Sequence, residues 1–382
     1  MKILFCLPGN EWGGPEREPV RTLARALTES GGVDVSFIQF SRETEEIARR
    51  ANGSVVPCRA SLSRSMLHRF QPERQRMADE IRRQQPDLVH VHWTQLGHAL
   101  AAMDSGIPYV VTIHDAALTC AYWNWSWRLG PALCTLGGLV ITRKILRQAS
   151  HVVAVSPYVS DHVKRFFLPP GYSSISIIPN PVSLSDTSGF KFQVSNDSPV
   201  FAAIGHWGPL KNFSLALRAF ALVRGSLPHA KLVLVGKDLG TGTPCHAWAV
   251  RHGLESGVDF RGPMAHADLM AFLSNDIDCL VHPARTEGFS LVVADAMAAG
   301  VPVVAAAAGA LPWLLGNGAF GTLVDSRAPA PWAEAMIEAA TGTGSSSLLE
   351  RARERIASLC DPRRIAAQHM EVYARVVKRP GS

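Results

Sequence analysis

The chain has 382 residues, of which 47% are hydrophobic and 18% are charged, and its formal net charge is +6. This length predicts two domains, each with enough apolar residues to fill a core. The seven cysteines are scattered and include no C-x-x-C pair, which favours reduced thiols over a disulfide framework. Because no apolar stretch is long enough to cross a membrane and no secretory signal pattern is present, we expect a cytoplasmic protein.

The first half of the chain alternates strand-like and helix-like segments. Residues 2–7 form an apolar run typical of a buried strand, and a helix with apolar residues at helical spacing follows from Pro15. Similar runs predict strands at residues 33–40, 87–91, 109–113, 151–155 and 175–178. Because helical segments separate these runs, we expect a parallel, doubly wound sheet.

Candidate ligand contacts in this half lie in one loop and at two strand ends. The Gly13-Gly14 pair either lets backbone approach a ligand closely, because neither residue carries a side chain, or forms only a turn. His92 and His114 follow predicted strands, and ligands of doubly wound sheets bind at the carboxyl ends of strands. A histidine in such a position is compatible with a structural role as well as a catalytic one.

Other segments of this half allow two interpretations each. The arginine-rich segment from Arg59 to Arg83, with its interleaved apolar residues, is either a solvated helix face or a patch that docks on anionic lipid. The uncharged residues 129–142 predict a buried helix, with a shallow membrane insertion as the alternative. Trp123, Trp125 and Trp127 either stack on a sugar or fill the core.

A polar stretch without periodicity, residues 183–199, predicts a linker between the two halves. The alternation of strands and helices then starts again. The strands predicted here are residues 200–204, 231–235, 259–260, 279–282, 301–305 and 322–324. A final helix is expected at residues 362–378.

The most informative stretch begins where an apolar strand ends at His282. Glu287 lies in a tight turn, and a helix follows with Ser290 as its candidate N-cap. Strand, glycine turn and helix N-terminus together present free backbone N–H groups. The carboxylates of Glu287 and Asp295 accept hydrogen bonds only, so they suit a ligand rich in hydroxyl groups. An ordinary strand–turn–helix with solvated acids is the alternative.

Two further loops carry charged groups. The loop from Gly205 through His206 to Lys211 links a strand to a helix, and its lysine is either solvated or an anion contact. Asp276 and Asp278 form a D-x-D pair just before a buried strand, which predicts a helix–strand corner rather than a metal site.

In order and spacing, these motifs resemble the retaining glycosyltransferases of family 4. The turn at Glu287 with the acid at Asp295 resembles the EGF…E motif of that family, and His114-Asp115 resembles its strand-ending His-Asp pair. The resemblance implies a GT-B fold, that is, two doubly wound Rossmann-like α/β domains facing an inter-domain cleft. It implies an acceptor-side domain at residues 1–182, a linker at 183–199, a nucleotide-sugar domain at 200–360 and a returning helix at 361–382.

The same resemblance assigns roles to individual residues. The catalytic residues it implies are His114 beside the transferred sugar, Lys211 on the donor diphosphate and Glu287 on the donor sugar. The donor-binding residues it implies are Gly13, Gly14, Gly205, His206, Lys211, Glu287, Gly288, Phe289, Ser290, Leu291 and Asp295.

The sequence departs from the family pattern at several of these positions. His206 stands where the family has an arginine, and Asp295 stands where it has a glutamate, which withdraws the carboxylate by roughly 1–1.5 Å. Trp313 replaces the acid of a G-G-x-P-E motif, and Pro181 replaces the glycine of a hinge.

The implied function is retaining transfer of a sugar from a nucleotide-sugar donor to a glycan or lipid-linked acceptor, in surface polysaccharide or glycoconjugate synthesis. The resemblance implies no metal and no cofactor, with peripheral contact to anionic membrane through the segment from Arg59 to Arg83. The alternative is a non-catalytic partner protein that keeps the fold and binds nucleotide sugar or glycan without turnover. A dinucleotide-dependent oxidoreductase fits less well, because the glycine fingerprint is absent.

Overall fold

A computed structural model describes residues 1–8, 18–41, 53–57, 71–94, 97–123, 129–183, 198–341 and 346–378. The chain divides into two compact units. The first consists of Met1–Pro181 together with Pro362–Ser382, and the second is Val182–Asp361. Each unit holds its own parallel sheet.

The sheet of the first unit has seven strands in the order β3-β2-β1-β4-β5-β6-β7. These strands are β1 (Lys2–Leu7), β2 (Asp34–Ser41), β3 (Gly53–Pro57), β4 (Leu88–His92), β5 (Tyr109–Ile113), β6 (His151–Ala154) and β7 (Ile175–Ile177). All neighbouring strands pair in parallel. The residues of β4 and β5 are buried throughout, as expected for parallel strands with helices on both faces.

Helices connect these strands. They are α1 (Glu18–Glu29), α2 (Gln71–Gln84), α3 (Gly97–Asp104), α4 (Ala117–Trp123), α5 (Leu129–Gln148) and α6 (Pro157–Phe166). The start of α6 follows from its sequence, because Pro157 occupies the first helical position and the Ser156 hydroxyl accepts from the Val159 N–H at 3.2 Å.

The sheet of the second unit has six strands in the order β10-β9-β8-β11-β12-β13. These strands are β8 (Val200–His206), β9 (Lys231–Lys237), β10 (Val258–Gly262), β11 (Cys279–His282), β12 (Val303–Ala306) and β13 (Thr322–Val324). The helices are α7 (Phe213–Ser226), α8 (Pro244–Arg251), α9 (His266–Asn275), α10 (Leu291–Ala298), α11 (Leu311–Leu314), α12 (Pro329–Thr341) and α13 (Ser346–Cys360). Because β8 and β11 are neighbours, the loops that follow them meet at one edge of the sheet.

The last helix, α14 (Pro362–Val377), belongs to the first unit and packs against α1. Its buried residues recur at helical spacing and include Ile365, His369 and Tyr373. The Tyr373 hydroxyl lies 2.7 Å from His90 Nδ1, so this helix is tied to β4 by a buried polar contact as well as by apolar packing.

The predicted fold class is confirmed, since both units contain doubly wound parallel sheets. One strand was not predicted, and one local expectation was wrong. The strand β3 was missed because it is a short edge strand that begins with Gly53 and ends with Pro57. The run at residues 129–142 is not buried on all sides, since Leu136 and Val140 of α5 are 50% and 70% exposed.

None of the helices in the described part of the chain is both long and apolar enough to span a membrane.

The core of the first unit contains several buried histidines. Burial lowers the pKa of His98 and of His369 to about 4, and it lowers the pKa of His90 well below the usual value. The rings of His90 and His92 lie 4.2 Å apart, and His90 also contacts Thr112 Oγ1 at 2.7 Å. These imidazoles are therefore neutral at neutral pH.

We expect the first unit to lose stability in acid. Because the folded-state pKa of His98 lies below the unfolded value of about 6.5, its contribution is fully present above that pH and is lost as pH falls toward 4. Replacing His98 with Gln keeps a donor for the His92 carbonyl, 2.9 Å away, but removes the titration. Urea unfolding followed as pH is lowered should show a slope up to about 1.4 kcal/mol per pH unit smaller in His98→Gln. Identical slopes would contradict the assignment.

Candidate functional site

The candidate site lies in the second unit, at the carboxyl ends of β8 and β11. The loop after β8 carries Lys211, and the loop after β11 carries Glu287. The Arg285 N–H donates to the Leu210 carbonyl at 2.8 Å, which holds the two loops side by side. The Arg285 guanidinium adds contacts to the Pro209 carbonyl and to Asn212 Oδ1.

An ion pair joins these loops. Lys211 Nζ donates to Glu287 Oε1 at 2.5 Å, although the two residues are 76 positions apart in sequence. His282 Nε2 donates to the same oxygen at 2.8 Å. Burial by itself would raise the pKa of Glu287, but the Lys211 charge and the His282 hydrogen bond lower it to about 2. The carboxylate is therefore ionised at any working pH and acts as an acceptor, not as a proton carrier.

The backbone of Glu287 is fixed from a third direction. Its carbonyl accepts from the Ala310 N–H at 2.9 Å. Gly309 has a φ of +60°, and a Cβ atom added there would lie 2.4 Å from the Glu287 carbonyl oxygen and 2.6 Å from its nitrogen. Only glycine allows this close approach.

The turn that follows Glu287 differs from the sequence-based expectation at one residue. Ser290 precedes α10 as predicted, but its side chain makes no capping bond and its φ is +76°. Instead its hydroxyl lies 3.3 Å from His282 Nε2. The N–H groups at the start of α10 are therefore not capped by the Ser290 side chain. Phe289 is buried and faces Trp313, with ring centroids 6.3 Å apart.

Asp295 lies inside α10 and is buried. Its Oδ2 lies 3.5 Å from His266 Nε2, at the first residue of α9. The structure thus places a histidine beside the shorter acid that the sequence carries at this position.

Gly205 and His206 end β8. The strand ends of β8 and β9 pass so closely that a Cβ on Gly236 would lie 1.7 Å from the Gly205 carbonyl oxygen. His206 is half-buried, and its pKa is lowered first by burial and then by the charge of Lys211. The imidazole is therefore neutral at neutral pH, and among the residues that sequence analysis placed on a diphosphate only Lys211 is a permanent cation.

In the first unit, His114 follows β5 as predicted and is held on several sides. His92 Nδ1 lies 3.0 Å from His114 Nε2, and Asn180 hydrogen bonds to the same imidazole. Trp93 stacks on the ring at 4.3 Å, with an unusual φ of +64°. Burial lowers the pKa of His114 to about 3, so the ring is a neutral hydrogen-bonding group.

The remaining predicted residues divide as follows. Gly288 and Leu291 adjoin the turn as expected, whereas Gly13 and Gly14 lie outside the described residues. Asp278 accepts from the Val200 N–H at 2.8 Å, which confirms the helix–strand corner at the D-x-D pair. Sequence reasoning assigned no role to His282 or Gly309. His282 ends a strand five positions before Glu287, and Gly309 opens the stretch that resembles a G-G-x-P-E motif, so strand position and that motif were the available signals.

Two family models match the chain over nearly all of its length. Glycosyltransferase Family 4 matches residues 14–186, and Glycosyl transferases group 1 matches residues 185–357.

The similar curated proteins include D-inositol 3-phosphate glycosyltransferases. That of Segniliparus rotundus is 30% identical over 257 residues, which cover 64% of this chain and 56% of the relative. That of Mycobacterium tuberculosis is 37% identical over 144 residues, which cover 37% of this chain and 29% of the relative. The match therefore spans about half, or less, of the length of these relatives.

Solved structures with the same fold cover almost the whole chain. Anabaena HepE in complex with UDP-glucose matches with a TM-score of 0.74 and 21% identity, over 98% of this chain and all of that one. Sucrose-phosphate synthase from Thermosynechococcus elongatus matches with a TM-score of 0.77 and 18% identity, over 98% of both chains. At these identities the likeness concerns the fold.

The contact between Gly309 and Glu287 predicts a position-specific effect of alanine. Gly309→Ala should displace the Glu287 turn, because the new Cβ would overlap the backbone. Gly318→Ala is the matched control, since Gly318 also has a positive φ, +96°, but nothing lies within 4 Å of its added Cβ. The control should lose about 1–2 kcal/mol of stability from backbone strain, and Gly309→Ala should lose clearly more in urea unfolding. Equal losses of unfolding free energy in the two variants would mean that the Glu287 turn accommodates the Cβ atom at position 309 without a further loss of stability.

Proposed function

The chain belongs to the family 4 glycosyltransferases, and its second half matches the family model Glycosyl transferases group 1. On that premise we propose that it transfers a sugar from a nucleotide-sugar donor with retention at the anomeric carbon. The observation that carries the proposal is the Lys211–Glu287 pair. A cation and an acceptor-only carboxylate lie together beside a helix N-terminus, which suits a diphosphate joined to a sugar.

In the proposed reaction, an acceptor hydroxyl attacks the face of the sugar from which the diphosphate departs. Lys211 and the backbone N–H groups of the turn stabilise the charge that develops on the leaving diphosphate. Glu287 orients the sugar through its hydroxyl groups. We assign His114 a neutral hydrogen-bonding role toward the sugar, because its lowered pKa leaves the ring with one N–H and no positive charge at neutral pH. No protein nucleophile is required.

The nucleotide is proposed to bind the second unit, with Asp295 accepting from ribose hydroxyls and Gly205 and His206 beside the phosphates. HepE, a structural neighbour, has been seen with UDP-glucose and with UDP, so UDP-glucose is the first donor to test. We propose that the reaction needs no metal and no cofactor. Activity that persists in excess chelator would support this.

The acceptor is proposed to be a glycan or a lipid-linked glycan, recognised by the first unit, in polysaccharide or glycoconjugate synthesis. The curated relatives are named for D-inositol 3-phosphate, so a phosphorylated polyol belongs in the acceptor panel. The deciding assay measures release of UDP from UDP-glucose with each acceptor and reads the anomeric configuration of the product by NMR. An inverted product would refute retention.

Two departures favour a non-catalytic binding protein as the alternative. His206 supplies no permanent charge, and Asp295 is shorter than the family's glutamate. This alternative expects nucleotide-sugar binding without release of nucleotide for any acceptor.

Peripheral contact with anionic membrane is also part of the proposal, but we assign it to a different surface from the arginine-rich segment. In the segment from Arg59 to Arg83, the described arginines of α2 are partly engaged, since Arg74 pairs with Asp104 and Arg83 with Glu80.

A better-placed surface is the exposed face of α5. Leu136 and Val140 are exposed there, and Arg143 and Lys144 follow at helical spacing on the same face. Apolar side chains beside basic ones suit an anionic lipid surface.

Val140→Asp should reduce binding to vesicles that contain anionic lipid without altering the melting temperature. Unchanged binding would remove this face from the proposal.

Lys211→Ala should lower kcat/KM by roughly 10- to 150-fold, which corresponds to losing about 1.5–3 kcal/mol of charge-assisted hydrogen bonding in the transition state. The matched control is Lys231→Ala, an exposed lysine at the opposite end of β9. It should leave kcat/KM unchanged. A folded Lys211→Ala protein with full activity would exclude Lys211 from the mechanism.

Affinity for nucleoside diphosphate should depend on the protonation of His206. Its pKa is lowered in the free protein, and a neighbouring diphosphate would raise it in the complex. The added affinity is then fully present below the free-protein pKa, which lies below about 6.5, and fades as pH rises through the pKa of the complex.

Calorimetric titration of UDP into three proteins tests this dependence. His206→Arg should bind UDP tightly at every pH tested. His206→Ala should bind UDP weakly at every pH, and the only pH dependence that remains should come from ionisation of UDP itself. The wild-type protein should pass from the former toward the latter as pH rises. Wild-type affinity that follows His206→Ala at every pH would mean that His206 does not touch the phosphates.

A further inference from the structure

His282 is completely buried at the end of β11 and contacts two groups of the candidate site. Its Nε2 lies 2.8 Å from Glu287 Oε1 and 3.3 Å from Ser290 Oγ. Its Nδ1 is buried and has no hydrogen-bond partner among the described residues. No motif and no family resemblance pointed to this residue.

The contacts locate the proton of this imidazole. An ionised carboxylate only accepts hydrogen bonds, so Nε2 must carry the proton that faces Glu287. A second proton on Nδ1 would leave a buried N–H without a partner, which costs more than an unpaired lone pair. The contacts therefore place a proton on Nε2, facing Glu287, and offer no acceptor to a proton on Nδ1.

The arrangement is not that of a Ser-His-acid triad. In a triad the serine and the acid contact opposite ring nitrogens, whereas here Ser290 and Glu287 both face Nε2. An imidazole whose Nε2 proton points at a carboxylate has no basic nitrogen directed at the serine. His282 thus does not activate Ser290.

The contacts also distinguish the two oxygens of Glu287. Lys211 Nζ and His282 Nε2 both bind Oε1, and no described residue donates to Oε2. Two donors at one oxygen fix the plane of the carboxylate, and Oε2 then points in one direction. Lys211 supplies a compensating charge, and the His282 N–H supplies direction.

We propose that His282 is a positioning residue that, together with Lys211, holds Oε1 of Glu287 and so presents Oε2 as the acceptor for a sugar hydroxyl. This inference rests on the proposed function for the identity of the ligand, but the position of the proton and the contact with Glu287 do not. Loss of His282 should affect recognition of the sugar and not that of the nucleotide.

Three variants test this with UDP and UDP-glucose as probes. His282→Leu should weaken UDP-glucose binding about tenfold while changing UDP binding less than about threefold. His282→Gln offers a neutral N–H donor without the ring, and it should recover most of the loss. His252→Leu, at an exposed histidine of the same unit, should change neither affinity. Melting temperatures of all three show which proteins are folded.

The tautomer gives a readout that does not depend on the ligand. Ring-nitrogen NMR of protein with labelled histidine should show the His282 signal, identified by its absence in His282→Gln, as the neutral form protonated on Nε2. In Glu287→Gln the same proton should shift, because its acceptor changes from a carboxylate to an amide.

Equal losses for UDP and UDP-glucose in folded His282→Leu, or a His282→Gln protein no better than His282→Leu, would overturn the proposal. So would a His282 ring protonated on Nδ1. If His282→Leu does not fold, His282→Gln alone is compared with the wild-type protein. The quantity compared is the ratio of the affinity for UDP-glucose to the affinity for UDP. A ratio close to that of the wild-type protein supports the proposal, and loss of the preference for UDP-glucose overturns it. A wild-type protein that binds neither probe would refute the proposed function, and the ring-nitrogen result would then decide the contact between His282 and Glu287 by itself.

Discussion

The second unit depends on keeping one ionised carboxylate almost buried. Glu287 retains its charge only because Lys211 and His282 both bind one of its oxygens, and without them burial would raise its pKa. Those partners in turn require the loops after β8 and β11 to stay together, which the Arg285–Leu210 backbone bond ensures. The glycine at position 309 then allows a third segment to reach the Glu287 backbone. A single residue thus contacts three segments, two through its carboxylate and one through its backbone.

This constraint explains why the departures from the family pattern fall where they do. His206 lies beside the ion pair but outside its hydrogen bonds, so a change of residue there alters the charge offered to a ligand and leaves the carboxylate in place. Asp295 lies more than one helical turn after the start of α10, with His266 beside it, and is not among the groups that contact Glu287. Neither departure removes a group that holds Glu287. The scaffold of the site is therefore kept, and the proposed contact with a diphosphate rests more heavily on Lys211.

In the first unit the buried polar groups near the strand ends are neutral histidines instead of an ion pair. His90 lies within β4, His92 ends that strand and His114 follows β5, and burial lowers the pKa of each of these imidazoles below its usual value. Neutral rings can stack and share hydrogen bonds without the desolvation cost of charge. The left-handed backbone at Trp93 is the strain that this arrangement carries, and it places an indole directly on His114.

The sequence by itself determined the fold class, the strand at Cys279–His282 and the residue types of the Glu287 turn, because parallel strands and glycine turns leave local patterns. It also indicated that Lys211 and Glu287 act together, although only through resemblance. The tertiary structure alone decided that His282 and Gly309 hold the same glutamate, that Ser290 contacts His282 instead of capping its helix, and that His206 is neutral. Strand β3 was missed for a related reason, since an edge strand is defined by its partner β2 rather than by its own residues. Contacts between segments far apart in the chain, and the burial they create, set proton positions and charge, and no local pattern encodes them.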